Sequence, residues 1–344
     1  MDILTQSLLG GVLAQSVARK TEKKVATLAG MFAGLLADAD ILIRSAEDPL
    51  LSIEYHRHFT HSLLFIPLGA AIAALILWPL LRRYLSVKRL YLFCLAGFSL
   101  SGVLDALTSY GTLLFWPFSE QRVALNLIAI VDPVFTIILL IGLLLGLWLP
   151  GQRLALVALV LCAGYLGFAG IQQQRAQEVM AELTAERSHE PQRQVVKPTL
   201  GNLLLWRSVY RYEERIYVDA VRVGLLAENR IYPGGSVARF NWRIELPGLD
   251  AETILERDIQ RFERFSDGFV ALDPGQENVL GDMRYSMLPA GVRPLWGIEF
   301  DAGEQHRHVE YRFFRDSSPQ LRETFMAMLL GRCDIADCQL APDK

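Results

Sequence analysis

His56-Arg57-His58-Phe59-Thr60-His61-Ser62 runs directly into Leu63-Leu64-Phe65-Ile66-Pro67-Leu68-Gly69 and the rest of an apolar stretch over residues 62–81. That stretch has the roughly 20 residues a helix needs to cross a hydrocarbon layer. Three of the chain's 6 histidines therefore stand at the mouth of a membrane span. Imidazoles are costly to place there, so the passage reads as a metal or catalytic site carried on a membrane fold.

Working outward, residues 90–109, 127–149 and 154–171 are further apolar runs of spanning length, while 25–43 and 3–18 are weaker ones interrupted by polar groups. The N-terminal run lacks the basic start and small-residue cleavage site of a removable signal peptide, so it is expected to stay in the fold. Mean hydropathy over the whole chain is only +0.26 because the charge is concentrated after residue 171. The reading is a polytopic α-helical membrane domain of about six helices over residues 1–171, a helical connector over 172–198, and a soluble domain over 199–344.

Basic residues set the expected orientation. Arg19, Lys20, Lys23 and Lys24 lie between the first two runs, Arg82, Arg83, Lys88 and Arg89 between the third and fourth, and Arg153 in the tight turn before the last. With those loops cytoplasmic, residues 44–61, residues 110–126 and everything after residue 171 lie outside. Asp38, Asp40, Asp105, Asp132 and the three histidines then share one face.

Neutral imidazole and carboxylate are ligands of zinc, manganese and ferrous iron, and a mixed shell with an open position acidifies water. His56 and His61 are five apart and cannot pair on one helix face, but a loop entering a helix can aim both inward. Asp105 sits within an apolar run, where a lone charge costs about 2.5–3.5 kcal/mol, so a cationic partner is expected for it. Asp38 and Asp40 point to nearly opposite faces of a continuous helix, so one is expected to ligate and the other to orient a ligand or act as base. Asp132 precedes Pro133 and suits an N-cap as well as a supporting role at the site. Asp2 and Gln6 suit supporting hydrogen bonds or N-terminal capping. Between Asp105 and Asp132 come Thr108-Ser109-Tyr110-Gly111, the aromatic run Phe115-Trp116-Pro117-Phe118, and Arg122, the one basic residue of that loop. Arg122 suits a phosphate or carboxylate clamp, or an ordinary interfacial arginine.

Six blocks of sequence resemble, in order, the YdjM-like bacterial inner-membrane proteins. They are Met1-Asp2-Ile3-Leu4-Thr5-Gln6-Ser7-Leu8-Leu9-Gly10, Ala37-Asp38-Ala39-Asp40, His56-Arg57-His58-Phe59-Thr60-His61-Ser62, Leu104-Asp105-Ala106-Leu107-Thr108-Ser109-Tyr110-Gly111-Thr112, Phe115-Trp116-Pro117-Phe118-Ser119 and Val131-Asp132-Pro133. The resemblance covers about the first half of the chain and implies a metal-dependent hydrolase of the inner membrane. A distant grouping of that family with zinc-dependent phospholipases C and single-strand nucleases implies phosphoester chemistry, an analogy at superfamily level. Two positions depart from the family pattern: Ala37 stands for a proline and His58 for a glycine. The expected metal ligands are His56, His61, Asp40 and Asp105, with Asp38, Asp40 and Arg122 catalytic and Asp2, Gln6, His58, Thr108 and Asp132 around them. Zinc is the expected metal, with manganese or iron as alternatives.

After breaks at Pro191 and Pro198, β-rich stretches follow at 203–209, 215–223, 237–244, 269–272, 285–288, 297–300 and 308–314, with helical stretches at 250–265 and 319–330. This pattern predicts an α+β domain with a mainly antiparallel sheet, punctuated by turns at Pro233-Gly234-Gly235 and Asp273-Pro274-Gly275. His306 and His308 share one strand face but read as part of a charged, solvated stripe. Cys333 and Cys338 are expected to form a disulfide in an exterior domain, while Cys94 and Cys162 lie singly within spans. A net charge of −3 with no basic helix excludes a nucleic-acid partner. The chain therefore reads as an integral-membrane hydrolase with an outer-face metal site, in contact with membrane lipids and acting on a phosphoester or lipid-linked substrate. The alternative is a non-enzymatic membrane assembly or envelope-stress protein with a structural or sensory metal.

Overall fold

A computed structural model describes residues 1–149, 152–225, 228–316 and 318–333. The chain divides into two units, the first formed by Met1–Ile43, Tyr55–Ile171 and Leu200–Asn202 and the second by Arg44–Glu54, Gln172–Thr199 and the described residues from Leu203 onward.

Helices come first in the chain: α1 (Ile3–Ser16), α2 (Lys23–Ala37), α3 (Leu51–Tyr55), α4 (Ile66–Leu81), α5 (Val87–Phe98), α6 (Ser101–Ala106), α7 (Pro133–Trp148) and α8 (Arg153–Glu186). Among the described residues, 4 helical stretches are long and apolar enough to cross a membrane: Lys23–Leu42, Leu63–Leu81, Val87–Ala106 and Arg153–Glu186. Pro133–Trp148 is apolar but shorter. The start expected near residue 127 is delayed because Asp132 caps α7 and Pro133 takes its first position, which leaves 127–132 non-helical. The run at 90–109 is a helix interrupted at Ser99 and Leu100, with α6 set off from α5.

Small residues face inward in this first unit. Ala14, Ala26, Ala29, Ala33, Ala70 and Ala73 are fully buried beside Phe93 and Phe98. A Cβ on Gly10 would lie 2.3 Å from Gly30 O, and one on Gly97 would lie 2.4 Å from the same oxygen, so α1, α2 and α5 touch backbone to backbone. Large side chains face outward instead, among them Leu75 and Leu80 on α4 and Val160 on α8. Such an arrangement suits a lipid surround, since a soluble fold would expose too much contiguous apolar surface.

Backbone hydrogen bonds fasten the loop after α6 to the histidine loop. Leu113 N donates to Arg57 O (3.1 Å) and Leu63 N to Leu114 O (3.0 Å), while Thr112 and Val123 form an isolated antiparallel bridge. Two irregular segments are thereby held in fixed register without a sheet.

The second unit is an antiparallel α+β region of two four-stranded meanders. One consists of β1 (Arg193–Pro198), β2 (Leu205–Tyr212), β3 (Arg215–Arg222) and β4 (Arg230–Ala238), the other of β5 (Val270–Leu272), β6 (Val279–Asp282), β7 (Trp296–Glu299) and β8 (Glu310–Phe313). Val209, Ile216 and Val218 of the first sheet pack against Phe269, Ala271 and Met283. The remaining helices are α9 (Trp242–Glu245), α10 (Ile254–Phe265) and α11 (Pro319–Leu330), and α11 covers Leu205, Ala220 and Tyr232 with Met328. The connector expected over 172–198 divides between the end of α8 and β1, which pairs with β2 over its whole length. Pro233-Gly234-Gly235 lies within β4, an edge strand, where a proline costs no ladder bond and the register shifts between Tyr217 and Asp219. Residues 285–288 form no strand. Cys333 is half-buried, and Cys338, its expected disulfide partner, lies outside the described residues.

Candidate metal centre

Four separate pieces of the first unit converge on one buried polar cluster. Asp38 and Asp40 come from a 3-10 turn, Asp38–Leu42, that tightens the end of α2. His61 ends another, Phe59–His61. Asp105 comes from α6, and Gln6 from α1. The 3-10 geometry matters because both aspartates can then face inward, which a continuous α-helix would prevent.

His61 is the hub. Its Nδ1 lies 3.1 Å from Asp40 Oδ2 and 3.0 Å from Thr60 Oγ1. Thr60 donates its hydroxyl to Asp40 Oδ2 at 2.8 Å, so His61 Nδ1 lies beside two oxygen acceptors. The Nε2 of His61 faces Asp105 Oδ2 at 2.9 Å and Asp38 Oδ1 at 3.4 Å. His61 and Asp105 are buried, and Asp38 is nearly so, with its Oδ2 lacking a hydrogen-bond partner. A ring nitrogen and two carboxylate oxygens thus converge. Separations of about 3 Å are what ligands spaced around a zinc ion with bonds of about 2.0–2.1 Å require. Asp38, His61 and Asp105 each offer one atom within 4.8 Å of the others, so the residues present fit a divalent cation.

Asp105 is held at both of its oxygens. Gln6 Nε2 donates to Oδ2 at 2.8 Å, Arg57 Nη2 lies 3.3 Å from Oδ1, and the amino group of Met1 contacts Oδ1. Arg57 is itself buried, donates through Nη1 to Thr108 Oγ1 at 2.9 Å, and has a left-handed backbone at φ 57°. An arginine held in that region costs energy and is found where the surroundings fix it. Thr108 passes its proton to Asp105 O at 2.8 Å.

The other expected residues fall at different distances from this hub. His56 Nδ1 bonds Asp40 Oδ1 at 3.1 Å, and burial pushes the His56 pKa below the usual histidine value. Arg122 Nη1 donates to His56 O (3.1 Å) and Gly111 O (3.2 Å), and Arg122 and Arg57 both lie against the Tyr110 ring, at 5.8 and 5.0 Å. His58 sits in an aromatic nest of Tyr55, Phe59 and Trp116. Asp2 caps α1 through Thr5 N, and Asp132 caps α7 through Phe135 N while accepting from Tyr165 OH at 2.8 Å. Arg57, Thr60 and the Met1 amino group are partners that the sequence reading passed over. Arg57 and Thr60 had a signal, since both lie inside the histidine stretch.

In the second unit, His308 Nδ1 bonds the buried Asp258 Oδ2 at 2.8 Å rather than joining a solvated stripe. Asp48, Asp258 and His308 form another metal-sized group, but Arg261 already pairs with Asp48 (3.0 Å), Glu54 (2.6 Å) and Asp258 (3.0 Å). The guanidinium supplies there the positive charge that a cation would bring.

A family model described as YdjM inner membrane protein matches residues 1–176. No curated protein and no solved structure matches the chain. The match spans just over half of the 344 residues and contains the whole cluster built around His61, and the chain belongs to that family of inner-membrane proteins.

Proposed function

We propose that this YdjM-family chain is a metal-dependent hydrolase whose site faces the outer side of the inner membrane and acts on a phosphoester or lipid-linked substrate. The observation that carries this reading is the convergence of buried Asp38, His61 and Asp105, each offering one ligand atom within 4.8 Å of the others. A divalent cation, zinc before manganese or iron, would act there as a Lewis acid and acidify water near neutral pH. Asp40 and Thr60 lie against His61 Nδ1, in the way that carboxylates orient metal-bound imidazoles. Gln6 and Arg57 hold Asp105 in place. The guanidinium groups of Arg57 and Arg122, both close to the Tyr110 ring, favour an anionic substrate.

The proposed topology has six crossings, made by α1, α2, α4, α5 with α6, α7 and α8, with the N-terminus and the second unit outside. Basic loops at Arg19 to Lys24 and Arg82 to Arg89 support it. Helix α1 has 14 residues and α7 has 16, about 21 and 24 Å at 1.5 Å per residue, so both would cross a locally thinned layer.

The test is hydrolysis of bis-p-nitrophenyl phosphate and of mixed anionic phospholipid vesicles by the detergent-solubilised full chain. Activity should vanish on chelation and return with zinc or manganese. Activity indifferent to chelator would overturn the reading.

A further inference from the structure

Asp40 has two imidazoles and two different ends. Its Oδ2 takes three donors, from Arg57 N (2.9 Å), Thr60 Oγ1 (2.8 Å) and His61 Nδ1 (3.1 Å), whereas Oδ1 takes His56 Nδ1 (3.1 Å). A carboxylate can only accept, so His56 carries its proton on Nδ1 and presents Nε2 on the far edge of the ring. His56 does not join the Asp38, His61 and Asp105 group. Exposure separates the two rings as well: the His56 side chain is 25 % exposed and that of His61 is 0 %.

Among the described residues, the other contacts of His56 are made by its carbonyl and its ring. Arg122 holds its carbonyl, and Tyr110 meets the ring at 5.1 Å and 70°. Between the two histidines Arg57 is left-handed at φ 57°, and one carboxylate serves both rings.

We propose that His56 is the substrate-facing imidazole of this site, held by Asp40 and Arg122 so that its Nε2 hydrogen-bonds the reacting group of an anionic phosphoester, while His61 alone of the two histidines turns toward the metal. This departs from the ligand set expected from sequence, which gave both histidines to the metal, and it rests on the metal-site reading above. Asp40 becomes the positioning residue for both rings. Arg122, beside His56, supplies charge that draws an anion to that edge.

Zinc alone and inorganic phosphate are sufficient probes, applied to the full chain in detergent. His56→Gln should bind zinc with wild-type stoichiometry and an affinity within about threefold, while His61→Gln should lose about 100-fold or more. In zinc-loaded wild type, diethyl pyrocarbonate should modify His56, located by peptide mass spectrometry, and phosphate should slow that modification. Loss of zinc in His56→Gln, or protection of His56 by zinc without phosphate, would make His56 a ligand and overturn the proposal while leaving the metal site intact. Retention of zinc by His61→Gln would instead overturn the metal site itself. The modification experiment on wild type stands even where a substitution disturbs folding.

Discussion

Gly102 shows how tightly single positions control the candidate site. A Cβ there would fall 1.9 Å from His61 O, so α6 can bring Asp105 up to the imidazole only because residue 102 has no side chain. Gly102→Ala should cost about 1–3 kcal/mol by overpacking and weaken zinc binding about tenfold by shifting His61, read by thermal unfolding and zinc titration. Gly164→Ala, with nothing within 4 Å of the new Cβ, should leave zinc binding unchanged. Sequence alone made Asp105 and the histidine stretch legible, because a charge in an apolar run and clustered imidazoles are chemically expensive. It placed Asp40 and both histidines among the ligands, whereas the metal-sized group holds Asp38 and His61 with Asp105. Those differences depend on 3-10 turns and on hydroxyl partners such as Thr60, which leave no periodic trace.

At the scale of elements, apolar runs marked where helices lie but not where they break. The α5 to α6 interruption and the late start of α7 are set by close packing and by the Asp132 cap, neither of which alters hydropathy. The strand β1 escaped notice because Arg193, Gln194 and Lys197 mask it, yet Lys197 is buried directly opposite Arg207. Burial, then the facing Arg207, pushes the Lys197 amine well below the usual lysine range, although Asp282 partly offsets them and the ammonium lies on the Tyr285 ring. An unfolded chain keeps that proton up to about pH 10.4, so it binds more protons than the fold between the lowered pKa and that value. Stability should therefore rise with pH across this window. Lys197→Met should remove the slope and raise the melting temperature of the intact chain at neutral pH; an unchanged or lowered value would contradict the cause assigned to the shift.

On the scale of the whole molecule, the division into a membrane half and an α+β half was readable from charge distribution, and the family match over residues 1–176 agrees with the resemblance carried by the six sequence blocks. Sheet pairing was not readable, because order and register depend on contacts distant in sequence. Orientation is open to reporter fusions at Val87 and after Lys344: alkaline phosphatase should be active only at the second, and the reverse pattern would move the site to the cytoplasmic face. The central claim, a cation held by Asp38, His61 and Asp105, is tested most directly by elemental analysis of the purified full chain beside its Asp105→Asn variant. The amide keeps the shape and removes the charge, so about one divalent ion per chain should fall to background in the variant while the protein stays inserted. Equal metal content in both, or none in the wild type after zinc loading, would contradict it.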